Sequence, residues 1–349
     1  MELVEVAMFN MYNLNSTESE KCIEKIEDLL PVHPVSPFLK ALNIYWKEMP
    51  IHSKHSEFGN FIALLQETID RSASLLEKDK KNEEAIFFSL AAHGYLAQYY
   101  ADEKSIFKAI REANNTYSYM KLGFNMLYDH SEFYYTTGLY NYYREQYPEM
   151  HPLYKPFMWF FAGGNKQLGL EQLKIASQDA VFTRVEALNY AAHINLRYEL
   201  NPAKAEKFAV QLVKEFSRNN LYKAIYIETL LTLEKFSEAR PLIFELESAN
   251  SSYFKMIGEV YKATLLEKQE KKYEQAKISF NRAIEFSSAI SIKTDHYKSM
   301  SYCGLARLSL KSGDNEAARD HYKKALGIAQ YYSVKKEAEK FLNKNRNIN

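Results

Sequence analysis

The sequence is poor in the residues that interrupt helices and in those that mark several common protein classes. Its 349 residues include only 11 glycines and 9 prolines, so long helices are favoured over strands joined by tight turns. There are only two cysteines, Cys22 and Cys303, which excludes a disulfide framework and a Cys-x-x-Cys metal or redox pair. Each lies in a helical pattern, where a free thiol is expected to pack as a small hydrophobic side chain.

An excess of charge and long apolar runs are absent too. Lys and Arg number 45 against 44 Asp and Glu, and this balance predicts no nucleic-acid partner. No run approaches the ~18 apolar residues that span a bilayer, so no transmembrane segment is predicted. The N-terminus lacks the pattern of a signal peptide. A cytoplasmic location is therefore expected if Met1 is the native start, and an exported one if a leader has been removed.

What is present is a repeat of helix pairs. Near the C-terminus, a first helix carries Tyr302, Leu305 and Ala306, and a turn follows at Gly313. The second helix then shows a small, a large and a small residue at positions i, i+4 and i+7, the pattern by which paired helices approach closely in tetratricopeptide repeats. The same triplet recurs upstream, and we list its members: Ala318, Tyr322, Ala325; Ala276, Phe280, Ala283; Ala239, Ile243, Leu246; Ala205, Ala209, Leu212; Gly169, Leu173, Ala176; Ala113, Tyr117, Met120; and Ser19, Ile23, Ile26.

Successive small residues from Gly169 to Ala318 are 36, 34, 37 and 42 positions apart, close to the 34-residue period of tetratricopeptide repeats. The predicted fold is all-α: a right-handed superhelical solenoid of tetratricopeptide-like helix pairs over 1–349. Degenerate repeats are expected over 1–130, an interrupted repeat over 131–178 and clearer repeats over 181–330. A capping helix is predicted at 332–345. We expect the pairs at 3–30, 36–78, 83–127, 131–178, 181–217, 220–247, 250–288 and 294–330.

The fourth pair contains an insertion. Its small residues, Gly138 and Gly169, lie 31 positions apart, whereas three other pairs have a separation of 12, so 19 residues are inserted. The insertion ends in the apolar run 157–161 and the glycine pair 163–164. Five apolar residues are too few to span a membrane, and a phosphate loop requires a preceding strand, which the pattern does not contain. We therefore predict that 157–161 forms a short packed helix, that Asn165 caps the next helix, and that Gly169 is the closest contact between the paired helices.

The segments GLYNYY (138–143), GGNKQLGLEQLKIAS (163–177) and RVEAL (184–188) resemble the tetratricopeptide-repeat-39 / inclusion-body-clearance family and related bacterial tetratricopeptide proteins. Lys166 and Gln167 depart from that family's pattern, which has Arg and Glu there. The resemblance covers about 70 residues by sequence and implies a non-catalytic, partner-binding helical protein.

No motif for catalysis, a cofactor or a metal is found, so the chain is predicted not to be an enzyme and to need no cofactor. The nearest metal-like group, His52, His55 and Glu57, lies in a predicted loop that fixes no ligand geometry. His93 and His193 lie in apolar helical patterns and are interpreted chiefly as hydrogen-bonded core residues, with a pH-sensitive or ligand-contacting role as the alternative.

The predicted functional surface is the concave face formed by the first helices of the pairs. Its inward positions are, by register, Tyr135, Tyr142, Tyr190, Arg197, Tyr198, Arg307 and Lys311. Tyr and Arg suit contacts with a protein or peptide partner, although some of the tyrosines can instead be core. The preferred function is a scaffold that binds a protein or peptide partner in this groove. The alternative is an extracytoplasmic binding protein that holds a small ligand or lipid there, and an enzyme is the least favoured class.

Overall fold

A computed structural model describes residues 2–344 except 50, 52, 104, 128–129, 151, 153–154, 156–161 and 291–293. The described part of the chain contains helices and turns and no strand, which confirms the all-α class. The helices are α1 (Glu2–Tyr12), α2 (Ser16–Leu29), α3 (Val35–Lys47), α4 (Phe58–Lys78), α5 (Glu83–Asp102), α6 (Ile106–Gly123), α7 (Phe133–Met150), α8 (Lys166–Asp179), α9 (Arg184–Arg197), α10 (Pro202–Glu215), α11 (Asn220–Thr232), α12 (Phe236–Glu247), α13 (Ser252–Leu265), α14 (Tyr273–Ala289), α15 (Asp295–Lys311), α16 (Asn315–Gly327) and α17 (Tyr332–Lys344).

Odd-numbered helices from α1 to α15 are the first members of the predicted pairs, and even-numbered helices are the second members. Each predicted pair coincides with two observed helices, and α17 lies where the capping helix was predicted. A π-helical turn, Leu266–Glu270, continues α13 and accounts for part of the longer spacing around this repeat. The chain is thus a helical-repeat protein.

The small–large–small triplets form the contacts within the pairs. Those of α8, α10, α12, α14 and α16 are buried, as is Ser19, Ile23, Ile26 of α2. The triplet predicted for α6 was correct at Met120, which is buried, and wrong at Ala113, which is exposed while the adjacent Glu112 is buried. Periodicity missed this register because it counts a carboxylate as a surface group, and Glu112 is buried through an interaction with His93 (Nδ1–Oε2 2.7 Å).

Glycine makes the closest contact between α7 and α8, as predicted. A Cβ atom at Gly169 would lie 2.7 Å from both the Gly138 oxygen and the Tyr142 nitrogen. A Cβ at Gly138 would lie 3.0 Å from the nitrogen of Leu173. Two glycines thus allow the two backbones to touch. The predicted helix at 157–161 lies outside the described residues.

Several of the turns inside the pairs contain a left-handed residue. Five of them contain a residue with φ between 53° and 83°: Leu14, Leu200, Glu234, Lys271 and Gly313. The amide of the following residue donates to a carbonyl five or six residues earlier, for example Asp314 N–H to Ser309 O at 2.9 Å. This is the glycine-type ending of a helix, yet only the last of the five positions is glycine.

The chain divides into two compact units. Unit 1 comprises Met1–Glu149 and Leu153–Leu188, and unit 2 comprises Met150–Pro152 and Asn189–Asn349. In unit 1 the core is aromatic, with edge-to-face contacts such as Tyr12–Trp46 (ring centroids 5.0 Å apart) and Phe38–Phe88 (5.5 Å). In unit 2 the core is chiefly aliphatic. The prediction that 1–349 forms one continuous solenoid concerns how the units are joined, and it stays a prediction.

Candidate partner-binding surface

The first helices of unit 2 do not present the open inward face that the sequence predicted. In α13, ten of the fourteen residues are buried, and α11 and α15 are also buried over most of their length. A helix that is apolar and buried all round is an internal element of the core. The inward positions of these helices therefore contact one another.

Arg197 illustrates this correction. Only 3% of it is exposed, and its guanidinium forms two parallel bonds to Glu228 of α11, Nε–Oε1 at 3.1 Å and Nη2–Oε2 at 2.6 Å. Glu228 also accepts from the Tyr261 hydroxyl at 3.1 Å and lies 3.3 Å from His296 Nε2. The Arg197 guanidinium lies over the ring of Tyr331, 4.8 Å from its centroid. We call Arg197, Glu228, Tyr261, His296 and Tyr331 the Arg197 cluster.

The electrostatics of this cluster follow from burial. Burial opposes ionisation of Glu228, but Arg197 and His296 outweigh it and hold the pKa of that carboxyl well below its usual range. Burial lowers the pKa of His296 to about 4, and the neighbouring Arg197 charge acts in the same direction. The neutral imidazole then donates through Nε2–H to Glu228, while its Nδ1 is buried without a hydrogen-bond partner. Arg197 and Glu228 thus form a buried ion pair, which a partner cannot reach.

Arg307 is engaged in a similar way. It donates two bonds to Glu267, at 2.8 and 2.7 Å, and one to Glu337 of α17 at 2.7 Å. Glu267 lies in the π-helical turn, so the irregular end of α13 supplies one of the two carboxylates. About a quarter of the Arg307 side chain remains exposed. Its main contacts join α13, α15 and α17, a structural role that the sequence did not predict.

The other predicted partner-binding residues differ in accessibility. Tyr142 was a wrong choice, because it is fully buried against α8, where its neighbour Gly169 requires close packing. Tyr135 and Tyr190 are half-buried, and Lys311 is exposed with its ammonium 5.1 Å from the Tyr273 ring centroid. A partner-binding role for Tyr135, Tyr190 and Lys311 stays a prediction. The structure does not bring these three together within one unit.

The histidines named from the sequence have separate environments. His93 is buried and bonded to Glu112, which confirms its interpretation as a core histidine. Partly buried His193 lies near Arg197, and burial together with that charge lowers its pKa. His55 lies 3.3 Å from Glu48, and His52 is outside the described residues. Over the described ranges, no group of three or more potential metal-binding side chains occurs.

A different surface, on α6 and α7 of unit 1, holds a piece of polypeptide by its main chain. The carbonyl of Ala162 accepts from the Tyr140 hydroxyl at 2.7 Å and from Arg144 Nε at 3.0 Å. Its amide donates to the Tyr117 hydroxyl at 3.3 Å. Three residues later, the Asn165 amide donates to the Asn141 carbonyl at 3.1 Å. Both polar groups of one peptide residue are therefore held by side chains of α6 and α7.

Aromatic rings and cationic side chains of α6 and α7 lie beside the residues that hold Ala162. The rings of Tyr117 and Tyr140 lie 5.7 Å apart, and the ammonium of Lys121 is 5.1 Å from the Tyr117 centroid. Burial, with the adjacent Tyr117, raises the pKa of Tyr140 to about 12, so its hydroxyl stays protonated and can donate. Tyr140, Arg144 and Tyr147 have helical spacing along α7, and Tyr147 is exposed. We call Tyr117, Lys121, Tyr140, Tyr143, Arg144 and Tyr147 the α6–α7 tyrosine surface.

Sequence reasoning missed this surface because the insertion creates it. Tyr117 was assigned to a packing triplet, and Tyr140 belonged to the segment that carries the family resemblance. Their hydroxyls meet only because the chain returns to α7 before α8 begins at Lys166. The glycine pair has no phosphate-binding geometry: Gly164 packs against Arg144 and Asn141, and Asn165 caps α8 by accepting from the Leu168 amide at 2.9 Å. The cap at Asn165 was predicted correctly.

No helix in the described residues has the length and apolarity needed to cross a membrane. No protein-family model matches the chain, and no curated protein matches its sequence. Solved structures similar to this chain include the two that follow. The human IFIT1 dimer with PPP-AAAA has a TM-score of 0.46 and 13% sequence identity, covering 96% of this chain and 69% of that one. Yeast Tom70 has a TM-score of 0.41 and 14% sequence identity, and the match covers 90% of this chain and 64% of the Tom70 chain.

Proposed function

We propose that this protein is a non-catalytic scaffold that binds an extended segment of a partner protein on the α6–α7 tyrosine surface. The observation that carries the proposal is the hold on Ala162, whose carbonyl and amide are bound by Tyr140, Arg144 and Tyr117. The surface thus already accommodates extended polypeptide. This location replaces the groove of first helices predicted from the sequence, because the first helices of unit 2 are occupied by their own contacts.

The chemistry of the surface suits a peptide more than a small molecule. Tyrosine offers a large, rigid contact area with a hydroxyl that serves as donor or acceptor, so it anchors peptides at little cost in conformational entropy. Lys121 and Arg144 add positive charge, which favours a segment containing Asp or Glu beside its aromatic or aliphatic anchors. Tyr143 and Tyr147 extend the surface along α7 beyond the residues that hold Ala162. The partner is therefore expected to lie alongside the chain's own 162–165 segment.

The proposal can be tested by selecting phage-displayed peptides on the full chain and measuring their affinity by calorimetry. We expect Tyr143→Ala and Tyr147→Ala each to weaken a selected peptide about tenfold, or ~1.4 kcal/mol. Tyr332→Ala is the matched control, since Tyr332 is also exposed but lies on α17 of unit 2. Unchanged affinity in both α7 variants, or an equal loss in the control, would refute this surface.

The same assay separates the other classes of ligand. A single-stranded oligonucleotide that competes with the selected peptide would contradict the prediction, drawn from balanced charge, that nucleic acid is not a partner. The small-ligand alternative requires a closed apolar cavity in the predicted groove of first helices, and the mutual burial of α11, α13 and α15 in unit 2 gives it no support. The prediction that the protein is not an enzyme depends only on the lack of catalytic motifs in the sequence.

A further inference from the structure

The exposed side of α6 carries an apolar patch next to the α6–α7 tyrosine surface. Its members are Ile106 (66% exposed), Phe107 (90%) and Ile110 (53%), all near the start of the helix. Ile110 follows Ile106 by four residues and Phe107 by three, so its side chain adjoins both. The buried Glu112 lies on the other side of the helix from Ile110. We call Ile106, Phe107 and Ile110 the α6 patch, in which three apolar side chains are exposed together rather than singly.

The α6 patch and the tyrosine surface lie on one stripe of the helix. Counting from Ile106, the positions i+4, i+7 and i+11 are Ile110, Ala113 and Tyr117, and these spacings keep to one side of an α-helix. Ala113 is small and exposed, so no large side chain of α6 separates the patch from Tyr117. At ~1.5 Å of rise per residue, Ile110 lies about 10 Å and Ile106 about 16 Å along the helix axis from Tyr117. An extended peptide beside Tyr117 would cover these distances in about three and about five residues.

The charge along this stripe is positive. The helix α6 contains three cationic residues and one carboxylate, Glu112, which is buried and bound by His93 and Arg111. Arg111 comes directly after the patch and keeps 69% of its side chain exposed. Lys121 lies one turn beyond Tyr117 and is exposed as well. A peptide on the stripe would therefore meet cations and no exposed carboxylate of α6, which favours acidic residues in the peptide.

We propose that the partner segment bound by the α6–α7 tyrosine surface continues onto the α6 patch, and that it is an acidic segment with two bulky apolar residues, about three and about five residues from the part beside Tyr117. Residues two apart in an extended segment face the same side, so both side chains can contact α6. Asp or Glu beside them pairs with Arg111 and Lys121. This inference rests on the proposed function, because it specifies the chemistry of the same partner segment.

Three observations favour a peptide over other occupants of an apolar patch. The Tyr117 hydroxyl accepts from the Ala162 amide, so this side of α6 already accommodates polypeptide. Unit 1 has 25 acidic and 18 basic residues, and an anionic membrane would repel the unit that carries the patch. A second copy of the chain in a symmetric contact would bring the cations of one α6 against those of the other.

The test uses the full chain and the tightest peptide from the phage selection described above, synthesised with a fluorescent label and followed by anisotropy. We expect Ile106→Ser and Phe107→Ser each to weaken its binding about tenfold, and binding to weaken further at high salt. Replacing one apolar residue of the peptide by serine should cost about tenfold with the parent and much less with Phe107→Ser, since the two changes remove the same contact.

Ile278→Ser is the matched control, because Ile278 is also 66% exposed but lies on α14 of unit 2, and its replacement should leave the affinity unchanged. Serine adds no charge, so a loss of binding reports the apolar contact and not repulsion of an acidic peptide. Circular dichroism of each variant establishes that it is folded.

The outcomes separate this inference from the proposed function. If Tyr143→Ala and Tyr147→Ala weaken the peptide while Ile106→Ser and Phe107→Ser do not, the inference is overturned and the proposed function stands. If only the α6 variants weaken it, the tyrosine surface is refuted, and the single continuous site with it. Selected peptides without Asp or Glu, or binding that is insensitive to salt, would also overturn the inference. So would a Phe107→Ser variant that loses a dimer seen by light scattering, or pelleting with phosphatidylserine vesicles, while its peptide affinity is unchanged.

Discussion

At the scale of single residues, the inward positions of the repeats serve different purposes in the two units. Arg197 and Arg307 were predicted to face a partner, and both instead bind carboxylates of neighbouring helices. Tyr117 and Tyr140 were not predicted as a site, and they hold a peptide residue. Register places a residue on a face but does not say whether that face is open. A cationic side chain is available to a partner only if no carboxylate of a neighbouring helix already binds it.

Arg197→Ala should destabilise the protein by ~3–5 kcal/mol, because it leaves Glu228 charged, buried and short of its main partner. Urea unfolding monitored by circular dichroism measures the change. The double variant Arg197→Met, Glu228→Gln should recover part of the loss, since no charge then remains unpaired. A change below about 1 kcal/mol in the single variant would mean that the cluster is solvated.

Gly169→Ala should destabilise by ~1–3 kcal/mol, even though alanine is the better helix former, because its Cβ would contact backbone atoms of α7 that cannot move aside. Gly163→Ala is the control: among the described residues, no atom beyond its chain neighbours lies within 4 Å of its Cβ position, so the change should be nearly neutral. Thermal unfolding of the two variants provides the comparison. Equal melting temperatures would show that α7 and α8 are not in direct contact.

At the scale of elements, five of the turns inside the pairs have the same left-handed backbone conformation, although only one of them has glycine at that position. Leu14, Leu200, Glu234 and Lys271 adopt the left-handed conformation that glycine adopts at Gly313. A non-glycine residue pays roughly 1–2 kcal/mol for this conformation. The closing hydrogen bond of each turn and the packing of the two helices sustain it. The pairs are therefore held by packing more than by turn propensity.

Leu200→Gly should consequently stabilise the α9–α10 turn by ~0.5–1 kcal/mol, since relief of the strain exceeds the extra entropy of glycine in the unfolded chain. In the opposite direction, Gly313→Ala should destabilise the α15–α16 turn by ~1 kcal/mol. Chemical denaturation of the two variants beside the parent resolves differences of this size. Destabilisation by Leu200→Gly would indicate that the leucine side chain contributes more by packing than its backbone costs.

At the scale of the whole molecule, the near-cancelling charge leaves the buried groups of unit 2 in control of the response to pH. The formal net charge is +1, so general repulsion changes little around neutrality. Among the groups with perturbed titration, His296 is neutral and buried, with a pKa of about 4; it contacts Glu228, Tyr297 and Tyr331 and lies near Arg197 and His193. Acid should therefore act on the fold through this cluster.

The unfolding free energy should fall as the pH drops from about 6.5 towards 4, because His296 binds a proton in the unfolded chain but not in the folded protein. The full shift corresponds to roughly 3 kcal/mol. Below about pH 4.5 Glu228 acts in the same direction. Its pKa is lowered in the folded protein, so the unfolded chain takes up a proton on this carboxylate that the folded protein does not bind, and the unfolding free energy falls further. Denaturation at pH 7.5, 6 and 5 should show the decline.

His296→Gln should reduce that decline, because glutamine keeps a donor for Glu228 and does not titrate, while His193, whose pKa is also lowered by burial and by Arg197, still contributes. Asn281→Gln, an exposed substitution on α14 that involves no titrating group, serves as the control and should leave the slope as it is in the parent. A parent protein that is equally stable at pH 7.5 and pH 5 would contradict the assignment of His296 as a buried neutral group.

The sequence by itself determined the helices, their pairing, the cap at Asn165 and the contact at Gly169. These features depend on neighbours within about 35 residues, and the spacing of small and large side chains records them directly. Only the tertiary structure decided the fate of Arg197, Arg307 and Glu112, the burial of Tyr142 and the meeting of Tyr117, Tyr140 and Arg144 at Ala162. Periodicity assigns charge to the surface, whereas a buried carboxylate becomes stable when a distant cation or imidazole is brought to it. That pairing depends on how successive helices stack, which no local spacing encodes.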